Sequence, residues 1–481
     1  MRLRKLSSLE LYFYNRSKLN LHSCFYIGVT LNQLPTRTQI IHALRKSVAK
    51  YQQLRCNVMK AGDSEDDIYF NDIGNEKIYF ADIVEYKNWD SVSESNINSI
   101  FQEYSFEYFT DKPVWKILVL ENQNQLLMLL DHVLFDGMSG INFWNSFISS
   151  LPSIDSISED ANANELIFPF EEPSQIAVLG DNHPYENWPI STTWHIKRTL
   201  LKHIFKWYPG KIMSHDPQLI KFNSYSYPSG LLDNNSVPSK SQYTIKNNNK
   251  QYELRILPDE LKFVLQYCRT KGFSLTSYLS SLFVNELRTV DSSYYNGSKI
   301  KIEIPMNTRS ICEKELNLSP EQMELGNFIT GLGLETEIDG EKISVEDLAR
   351  SFQNSLKKQS QESITESMNT TKSLDVVNTK DFVEYKINPL DDSDISYPGA
   401  TFEITNLGYQ NFVENAGFCV VDAVFGQPQG ISDNFFCSIV STKLGGLNCL
   451  ISYPTSLEVP LERCFDSVRD QLKEHKNHAN A

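Results

Sequence analysis

The stretch His132-Val133-Leu134-Phe135-Asp136-Gly137 follows an apolar run and comes just before a helical pattern. Upstream of it, residues 114–120 (V-W-K-I-L-V-L) and 125–130 (Q-L-L-M-L-L) are strand-like runs joined by a short polar turn. Two runs with this spacing predict a β-hairpin. His132 would therefore lie where an ordered strand ends, a place at which rigid scaffolds often present reactive side chains.

A helix is predicted after this turn. Beyond Gly137 the apolar side chains recur at nearly 3.6-residue spacing, at Ile141, Trp144, Ile148 and Leu151. Ser139 is a suitable N-cap residue, so we expect the helix to begin near Ser139. The histidine, aspartate and glycine of the hexad would then belong to one strand–turn–helix unit.

The length and composition describe a large globular protein. At 481 residues the chain exceeds the usual limit of one hydrophobic core and allows roughly two to three domains. Hydrophobic residues make up 41% and charged residues 22% of the chain, which excludes bulk disorder. The net charge of −15 argues against nonspecific nucleic-acid binding, which rewards clustered Lys and Arg, so no nucleic-acid partner is expected.

The eight cysteines are scattered and include no C-x-x-C pair. This pattern supports neither a disulfide framework nor a metal site and favours reduced thiols in an intracellular protein. The basic N-terminus lacks a long apolar core, and no run reaches about 18 apolar residues, so neither a signal peptide nor a spanning helix is expected. We expect a cytoplasmic protein, with peripheral attachment to the endoplasmic reticulum or to lipid droplets as the alternative.

Two loop-like stretches divide the chain. Residues 151–176 turn acidic, and residues 230–250 are rich in Asn, Ser and Lys. We therefore expect an N-terminal domain over residues 1–175, a connecting segment over 176–250 and a C-terminal domain over 251–481. Both halves contain helical patterns as well as strand-like patterns. Helices are predicted at 35–51, 258–268 and 276–287, and strands at 24–31, 252–256, 299–304, 327–334, 400–405, 418–425, 435–441 and 447–453.

The H-x-x-x-D-G pattern of the hexad resembles the motif of the coenzyme A-dependent acyltransferase superfamily, which includes chloramphenicol acetyltransferase and dihydrolipoyl acyltransferase. Residues 402–408 (F-E-I-T-N-L-G) resemble the strand and turn around S-N-L-G in those enzymes and in fungal alcohol acetyltransferases. Residues 425–430 (F-G-Q-P-Q-G) and the two strands that follow resemble the end of the fungal alcohol acetyltransferase family. The similarity covers both halves of the chain in the family's order.

Within that family, two N-terminal segments narrow the resemblance. Residues 4–13 (R-K-L-S-S-L-E-L-Y-F) and the L-x-x-L-P-T-x-x-Q pattern at 31–39 are most similar to fungal N-acetyltransferases that inactivate sphingosine-like immunosuppressants such as myriocin. One segment departs from the pattern of the family's plant relatives. They carry D-F-G-W-G, whereas residues 432–436 of this sequence are S-D-N-F-F. That motif is largely architectural, so its loss leaves the chemistry in place but removes any residue-level inference about coenzyme A from this segment.

The resemblance implies an α+β fold of two chloramphenicol acetyltransferase-like domains, each a mixed sheet with flanking helices, with the active site at their interface. It implies that acetyl passes directly from acetyl-CoA, without a covalent acyl-enzyme, to the amine of a hydrophobic, sphingoid-like acceptor. The alternatives are an alcohol O-acetyltransferase that forms acetate esters, since the same base serves both acceptors, and a noncatalytic binding relative. The expected partners are coenzyme A and a small hydrophobic amine or alcohol, with no metal, and a monomer is favoured.

His132 is the candidate general base, because the ordinary histidine pKa of about 6.5 lies near working pH. The competing interpretation is a structural histidine bonded to the nearby aspartate. Asp136 would either orient the imidazole or hold the turn shut. The resemblance implies mainly the second role, through an ion pair with Arg309, which would otherwise be a surface arginine. Gly137 would permit a close backbone approach or a positive φ.

Thr405 and Asn406 are the candidates for the oxyanion donor and for positioning the acyl group. Both residue types also bond readily to local backbone, so a turn-capping role is the competing interpretation. A true donor here should have the second largest effect on the rate, after the base.

Residues 194–208 (W-H-I-K-R-T-L-L-K-H-I-F-K-W-Y) carry a separate signal. Placed on a helix, their apolar side chains fill about half of the circumference and most of their basic side chains the other half. Trp and Tyr beside basic residues are typical of an interfacial helix, which would give the protein a peripheral membrane contact. An ordinary surface helix packed on a core is the favoured alternative.

Overall fold

The computed structural model describes residues 1–62, 67–74, 76–90, 92–153, 165–169, 178–208, 216, 218–224, 249–338, 343–358, 364–387, 399–430 and 433–479. The first half of the chain forms β1 (Arg2–Lys5), α1 (Ser8–Lys18), β2 (Phe25–Leu31), α2 (Arg37–Lys50), β3 (Cys56–Lys60), β4 (Ile68–Asp72), β5 (Ile78–Tyr79), α3 (Phe80–Ile83), β6 (Val84–Lys87), α4 (Glu94–Glu103), β7 (Trp115–Leu120), β8 (Gln125–Leu130), α5 (Gly137–Ser149), β9 (Leu166–Phe168), α6 (Thr192–Trp207) and β10 (Lys221–Phe222).

The second half forms β11 (Asn249–Ile256), α7 (Pro258–Lys271), α8 (Leu275–Leu287), β12 (Tyr295–Asn296), β13 (Lys299–Asn307), α9 (Arg309–Leu316), β14 (Ile329–Glu337), α10 (Val345–Lys358), α11 (Ile364–Lys372), α12 (Thr379–Ile387), β15 (Phe402–Gln410), β16 (Val420–Gly426), β17 (Phe435–Thr442), β18 (Gly446–Pro454) and α13 (Glu458–Ala479). The helices and strands predicted for this half are confirmed, with ends that differ by a few residues.

The first half is built on a five-stranded sheet with the order β16-β2-β8-β7-β6. Strands β7 and β8 pair antiparallel, which confirms the predicted hairpin, whereas β6 and β7 run parallel. Buried side chains of α2 and α5 share one core with β2 and β8. The end of the hairpin, just before His132, is therefore packed against this core.

The second half is built on a six-stranded sheet with the order β11-β18-β17-β15-β13-β14. Strand β15 runs parallel to both of its neighbours, and the other pairs are antiparallel. Side chains of α7, α8 and α13 pack on this sheet in a second core. The predicted α+β architecture of mixed sheets with flanking helices is thus confirmed.

Strand β16 comes from the second half of the chain but lies in the sheet of the first half. It pairs antiparallel with β2, where Phe425 lies opposite Ile27. Since β15 and β17 both belong to the six-stranded sheet, the chain passes from one sheet to the other before β16 and returns after it. The two halves are therefore joined by a shared strand as well as by side-chain contacts. The limits at 175/176 lie outside the described residues, and the domain division remains a prediction.

The helix that follows the hexad begins at Gly137, two residues earlier than predicted. Asp136 is its N-cap, because its Oδ1 accepts a hydrogen bond from the backbone N–H of Ser139 at 2.8 Å. The prediction that Ser139 caps this helix is wrong. Aspartate is at least as good a cap as serine, and here its carboxylate is also fixed from outside the helix.

None of the helices in the described ranges is both long and apolar enough to cross a membrane. All eight cysteines are free thiols, and seven of them are buried. In the same ranges, no group of three or more His, Cys, Asp or Glu side chains is arranged to hold a metal ion.

Candidate active site

His132 stands in the turn directly after β8. Asp131 shapes this turn, because its Oδ1 accepts a hydrogen bond from the backbone N–H of Val133 at 2.8 Å. The imidazole lies flat on the ring of Phe13 from α1, with 4.1 Å between the centroids, and against Phe25 at 4.9 Å. Two aromatic contacts and a tight turn therefore fix the ring at the end of the strand.

Burial and the positive charge of Arg16 lower the pKa of His132 to about 4, against an opposing effect of the Asp136 charge and of hydrogen bonds to the backbone carbonyls of His132 itself and Phe135. The imidazole is therefore neutral at pH 7. A ring N–H that donates to a backbone carbonyl leaves the other ring nitrogen available to accept a proton. His132 thus has the protonation state that a general base requires.

Asn327, which precedes β14, holds the same turn from the second half of the chain. Its Nδ2 donates to the backbone carbonyl of His132 at 2.7 Å and lies 3.4 Å from Nδ1 of the imidazole. Asn327 is fully buried. Sequence reasoning missed this residue, because nothing in the local pattern links it to a turn almost 200 residues earlier.

Asp136 and Arg309 form a bidentate ion pair between the two halves of the chain. Arg309 Nη1 lies 2.7 Å from Asp136 Oδ2, and Nη2 lies 2.9 Å from Oδ1. The backbone N–H of Phe328 adds a bond to Oδ2 at 2.9 Å. In the described part of the chain, the hydrogen bonds of this carboxylate go to Arg309, Ser139 and Phe328, and none goes to the His132 ring. The Asp136–Arg309 pair therefore acts as a latch, in the sense that it holds the active-site turn against the second half of the chain.

Burial on its own would raise the pKa of Asp136, but the charge and hydrogen bonds of Arg309 and the backbone bonds from Phe328 and Ser139 hold it below the usual value. Arg309 has further partners on its own side of the interface. It donates to the backbone carbonyl of Met323 at 2.6 Å, and its guanidinium lies 4.8 Å from the centroid of the Phe328 ring. The ion pair is therefore well anchored at both ends.

Gly137 lies at a close approach from the second half. A Cβ atom at this position would lie 2.7 Å from Cδ2 of Leu407, in the turn of the F-E-I-T-N-L-G segment. Its φ is not in the left-handed region. The structure thus shows a close approach by a side chain, and neither a close backbone approach nor a positive φ explains this glycine.

Thr405 and Asn406 line the same cavity as His132. The hydroxyl of Thr405 donates to Glu403 Oε1 at 2.5 Å, and a hydroxyl has only one hydrogen to give. Asn406 accepts the Gly408 N–H at 2.8 Å and donates to Thr276 Oγ1 at 3.1 Å. Because an amide NH₂ carries two hydrogens, Asn406 keeps a second one for another acceptor. Of the two candidates, Asn406 is therefore the one whose hydrogen bonds within the described residues leave a side-chain hydrogen to donate.

The cavity that contains His132 has a volume of about 360 Å³ and lies between the two halves. Its walls are mainly apolar and come from both halves, among them Phe25, Met138, Leu407, Phe425 and Phe436. A second cavity of about 370 Å³ adjoins it, and both are lined by Phe13, Arg16 and Glu403. The site thus offers two neighbouring spaces that meet close to one base.

Glu403 is a cavity residue that sequence reasoning missed. Burial, together with the nearby charge of Glu303, raises its pKa to about 7, although the hydrogen bonds from Thr405 and Gln427 act in the opposite direction. A signal was present in the sequence, because residues two apart on a strand face the same side and Glu403 precedes Thr405 by two. A carboxyl group with a perturbed pKa in a cleft is a candidate functional residue.

Comparisons with known proteins show the family to which this chain belongs. A family model described as alcohol acetyltransferase matches residues 5–467. N-acetyltransferase SLI1 of Saccharomyces cerevisiae is 38% identical to this chain over 474 residues, which cover 97% of this chain and 99% of the yeast protein.

Solved structures are similar over nearly the whole chain. They include the trichothecene 15-O-acetyltransferase TRI3 from Fusarium sporotrichioides, with a TM-score of 0.63, 11% identity and coverage of 98% of this chain and 95% of that chain. The epimerization domain from the third module of tyrocidine synthetase B has a TM-score of 0.60, 11% identity and coverage of 99% and 96%. At such low identity these structures show the fold alone. The family model and the yeast relative carry more weight, since each spans almost all of the sequence, and the chain belongs to the alcohol acetyltransferase family of enzymes.

Proposed function

We propose that this enzyme transfers acetyl from acetyl-CoA directly to the amine of a hydrophobic, sphingoid-like acceptor, with His132 as the general base. The observation that carries the proposal is the neutral imidazole of His132, fixed at the edge of an apolar cavity between the two halves. An acyl-CoA co-substrate follows from membership of the family, and the acetyl group and the amine are the finer part of the proposal. The yeast relative is named an N-acetyltransferase, which supports that part.

In this mechanism the nitrogen of the acceptor attacks the thioester carbonyl. A C–N bond forms, and the C–S bond to coenzyme A breaks after a tetrahedral oxyanion has formed. His132 accepts the proton that the attacking nitrogen loses and gives it to the departing thiolate, so that the imidazole ends neutral as it began. The second N–H of Asn406 would stabilise the oxyanion.

Direct transfer requires both substrates beside the base at the same time. The two adjoining cavities, of about 360 and 370 Å³, support this requirement because they meet at Phe13, Arg16 and Glu403 close to His132. Holding the two reactants in one geometry can supply a large part of the rate. Asp136 and Arg309 would keep the walls of this site together.

The second candidate function is transfer to an alcohol, which forms an acetate ester. It is favoured by the description of the family as alcohol acetyltransferases. The base would serve either acceptor. The decisive experiment incubates the purified protein with acetyl-CoA and a panel of sphingoid amines, alkylamines and alkanols, and measures the release of free coenzyme A.

We expect release with the amines and none without an acceptor. Release with alkanols alone would replace the first candidate by the second, and no release with any acceptor would favour a noncatalytic binding protein. Light scattering on the same preparation tests the monomer that we propose.

The oxyanion assignment predicts unequal effects of two neighbouring substitutions. Asn406→Ala should lower kcat by about 10² to 10³, as expected for the loss of one oxyanion donor. Thr405→Val should lower it much less, because the Thr405 hydroxyl is already committed to Glu403. Steady-state kinetics at saturating acetyl-CoA give the two values, with the thermal unfolding midpoint as a check on the turn. A larger loss in Thr405→Val than in Asn406→Ala would transfer the role to Thr405.

We also propose that α6 binds the surface of an anionic membrane. One edge of this helix faces the protein, where Phe205 is buried against Phe382 and Arg198 bonds to Asp375 at 3.0 Å. A second apolar arc of the helix is exposed and comprises Ile196, Leu200, Ile204 and Trp207, with exposed fractions of 59%, 56%, 41% and 68%. Lys197 is exposed at the edge of this arc, and Lys202 and Lys206 are exposed on the polar side of the helix. A helix with one exposed apolar arc and lysines on its polar side complements an anionic lipid surface.

Removing the exposed arc should therefore weaken membrane binding without unfolding the helix. We expect the double substitution Leu200→Ser and Trp207→Ser to reduce cosedimentation with phosphatidylserine-containing vesicles, because the buried edge of α6 stays intact. The matched control replaces two exposed apolar residues elsewhere, Leu444 and Val459, by serine. Equal vesicle binding by both double variants and the wild type would contradict the proposal.

A further inference from the structure

Glu403 has one carboxylate oxygen held by the protein and the other open to the cavities. Oε1 accepts hydrogen bonds from Thr405 Oγ1 at 2.5 Å and from Gln427 Nε2 at 3.0 Å. Over the ranges that the structure describes, Oε2 receives neither a hydrogen bond nor an ion pair within 4.0 Å. The carboxylate is therefore held in a fixed orientation with a vacant acceptor atom.

Its position is the junction of the two cavities. Glu403 lines both the cavity of His132 and the adjoining one. Across the parallel pair of β13 and β15, Glu403 lies in register with Glu303, which lines the adjoining cavity. Glu403 therefore lies at the junction of the two cavities, whereas Glu303 lines only the adjoining one.

The other charged groups around Glu403 come from several elements. Arg16 on α1 lines both cavities, and its positive charge favours the carboxylate form of Glu403 by lowering the pKa of that group. Lys301 on β13 and Asp433 before β17 line the adjoining cavity only. His132 is neutral at pH 7. Asp136 also lines the cavity of the base, but both of its oxygens are hydrogen-bonded, whereas Glu403 has one oxygen without such a bond among the described residues.

This arrangement distinguishes amines from alcohols. An alkylamine is an ammonium ion at neutral pH, and taking that charge out of water is costly unless an opposite charge meets it. It must also lose one proton before its nitrogen can attack a carbonyl. An alcohol is neutral, so it needs neither an opposite charge for binding nor the removal of a first proton. A buried carboxylate therefore stabilises its bound form much less. We propose that Glu403 binds the ammonium group of the acceptor at this junction and removes its first proton, and thereby selects amines. The inference rests on the proposed acetyl transfer.

The proton balance closes with these groups alone. The ammonium gives one proton to the Glu403 carboxylate and becomes a neutral amine, which attacks the thioester. His132 passes the second proton from nitrogen to the coenzyme A thiolate, and the Glu403 carboxyl afterwards releases its proton to solvent. The net reaction converts an ammonium ion and acetyl-CoA into an amide, free coenzyme A and one proton. A Glu403 pKa of about 7 suits a group that must both take up and release a proton near neutrality.

The test is Glu403→Gln, which retains an oxygen for Thr405 and Gln427 but carries no charge. The acceptors are a matched pair, 1-dodecylamine and 1-dodecanol, each assayed by release of coenzyme A. We expect the amine-to-alcohol ratio of kcat/KM to fall at least about 30-fold, the scale of removing one partner from a buried charge pair. In the wild type, kcat/KM for the amine should rise through pH about 7. This rise of kcat/KM with pH should be missing with the alcohol and in the Gln variant. The pH profile for the amine therefore tests the inference even where transfer to the alcohol is too slow to measure.

Glu303→Gln is the matched control, because it removes a carboxylate from the neighbouring strand. The negative charge of Glu303 contributes to the raised pKa of Glu403, so its loss should move the rise of kcat/KM for the amine to lower pH and leave the preference for amines in place. A Glu403→Gln variant with an unchanged ratio and an unchanged pH profile would overturn the inference while leaving acetyl transfer intact. A wild-type enzyme that uses neither acceptor would instead refute the proposed function.

Discussion

His132→Ala is expected to lower kcat by about 10³, within the range that a positioned general base contributes. The imidazole is neutral, is held by Phe13 and Phe25, and faces the cavity. Without it, the attacking nitrogen loses the group that takes its second proton in the proposed mechanism. The loss should appear in kcat with every acceptor, and the KM for acetyl-CoA should change little.

The matched control is His22→Gln, a second histidine of the same cavity whose ring centroid lies 6.0 Å from that of His132. A much smaller loss is expected there, because no bond in the proposed mechanism is made through His22. Circular dichroism and the thermal midpoint show whether either variant has unfolded. Full activity in His132→Ala would refute the assignment of the base.

The pH dependence of the base follows from the direction of its pKa shift. Burial and Arg16 hold the pKa of His132 at about 4, below the ordinary value. The neutral form is therefore present throughout the range from pH 5 to 8, and with an alcohol acceptor kcat/KM should stay nearly flat over that range. A steep fall centred near pH 6.5 would show instead that the imidazole has an ordinary pKa when it acts.

Arg309→Met is expected to have the largest effect on stability. It leaves the carboxylate of Asp136, which is 1% exposed, buried without its cation. Removing one partner of a buried ion pair typically costs about 3 to 5 kcal/mol of the free energy of unfolding. Urea unfolding, followed by tryptophan fluorescence and circular dichroism, measures this change.

A double variant separates two effects on stability, the loss of the ion pair and the burial of an unpaired charge. Asp136→Leu combined with Arg309→Met leaves no unpaired carboxylate, so it should be more stable than Arg309→Met alone. At pH values above the ordinary aspartate pKa the pair stabilises the fold fully, and this contribution is lost as the pH falls through the lowered pKa of Asp136. A change below about 1 kcal/mol in Arg309→Met would mean that the pair resembles an exposed salt bridge rather than a latch.

The local pattern predicts those parts of the molecule that local interactions determine. The β7–β8 hairpin and the helices α2, α7 and α8 have clear periodicity and turn signals, and they appear close to the predicted ends. Helix α1 was not predicted, although it supplies Phe13 and Arg16 to the site. Its buried side chains include Glu10 and Asn15, whose polarity obscures the period of the apolar face.

The parts that were not predicted depend on contacts between distant segments. Asn327 bonds to a turn 195 residues away, and β16 pairs with a strand almost 400 residues earlier. The cap of α5 is a further example, because Asp136 is held by Arg309 from the other half of the chain. The position of Arg309 opposite Asp136 was expected only because the sequence resembles a known family. No periodicity in the sequence links the two residues.

The shared strand has a consequence for how the protein is made. Until residues 420–426 have been synthesised, β2 forms one edge of the first sheet, with its backbone N–H and C=O groups open to any other strand. The N-terminal half therefore leaves the ribosome as an unfinished sheet and can close only after most of the chain has followed. An N-terminal fragment ending before β16 would retain that open edge, so we expect the two halves to complete their folding together although their cores are distinct.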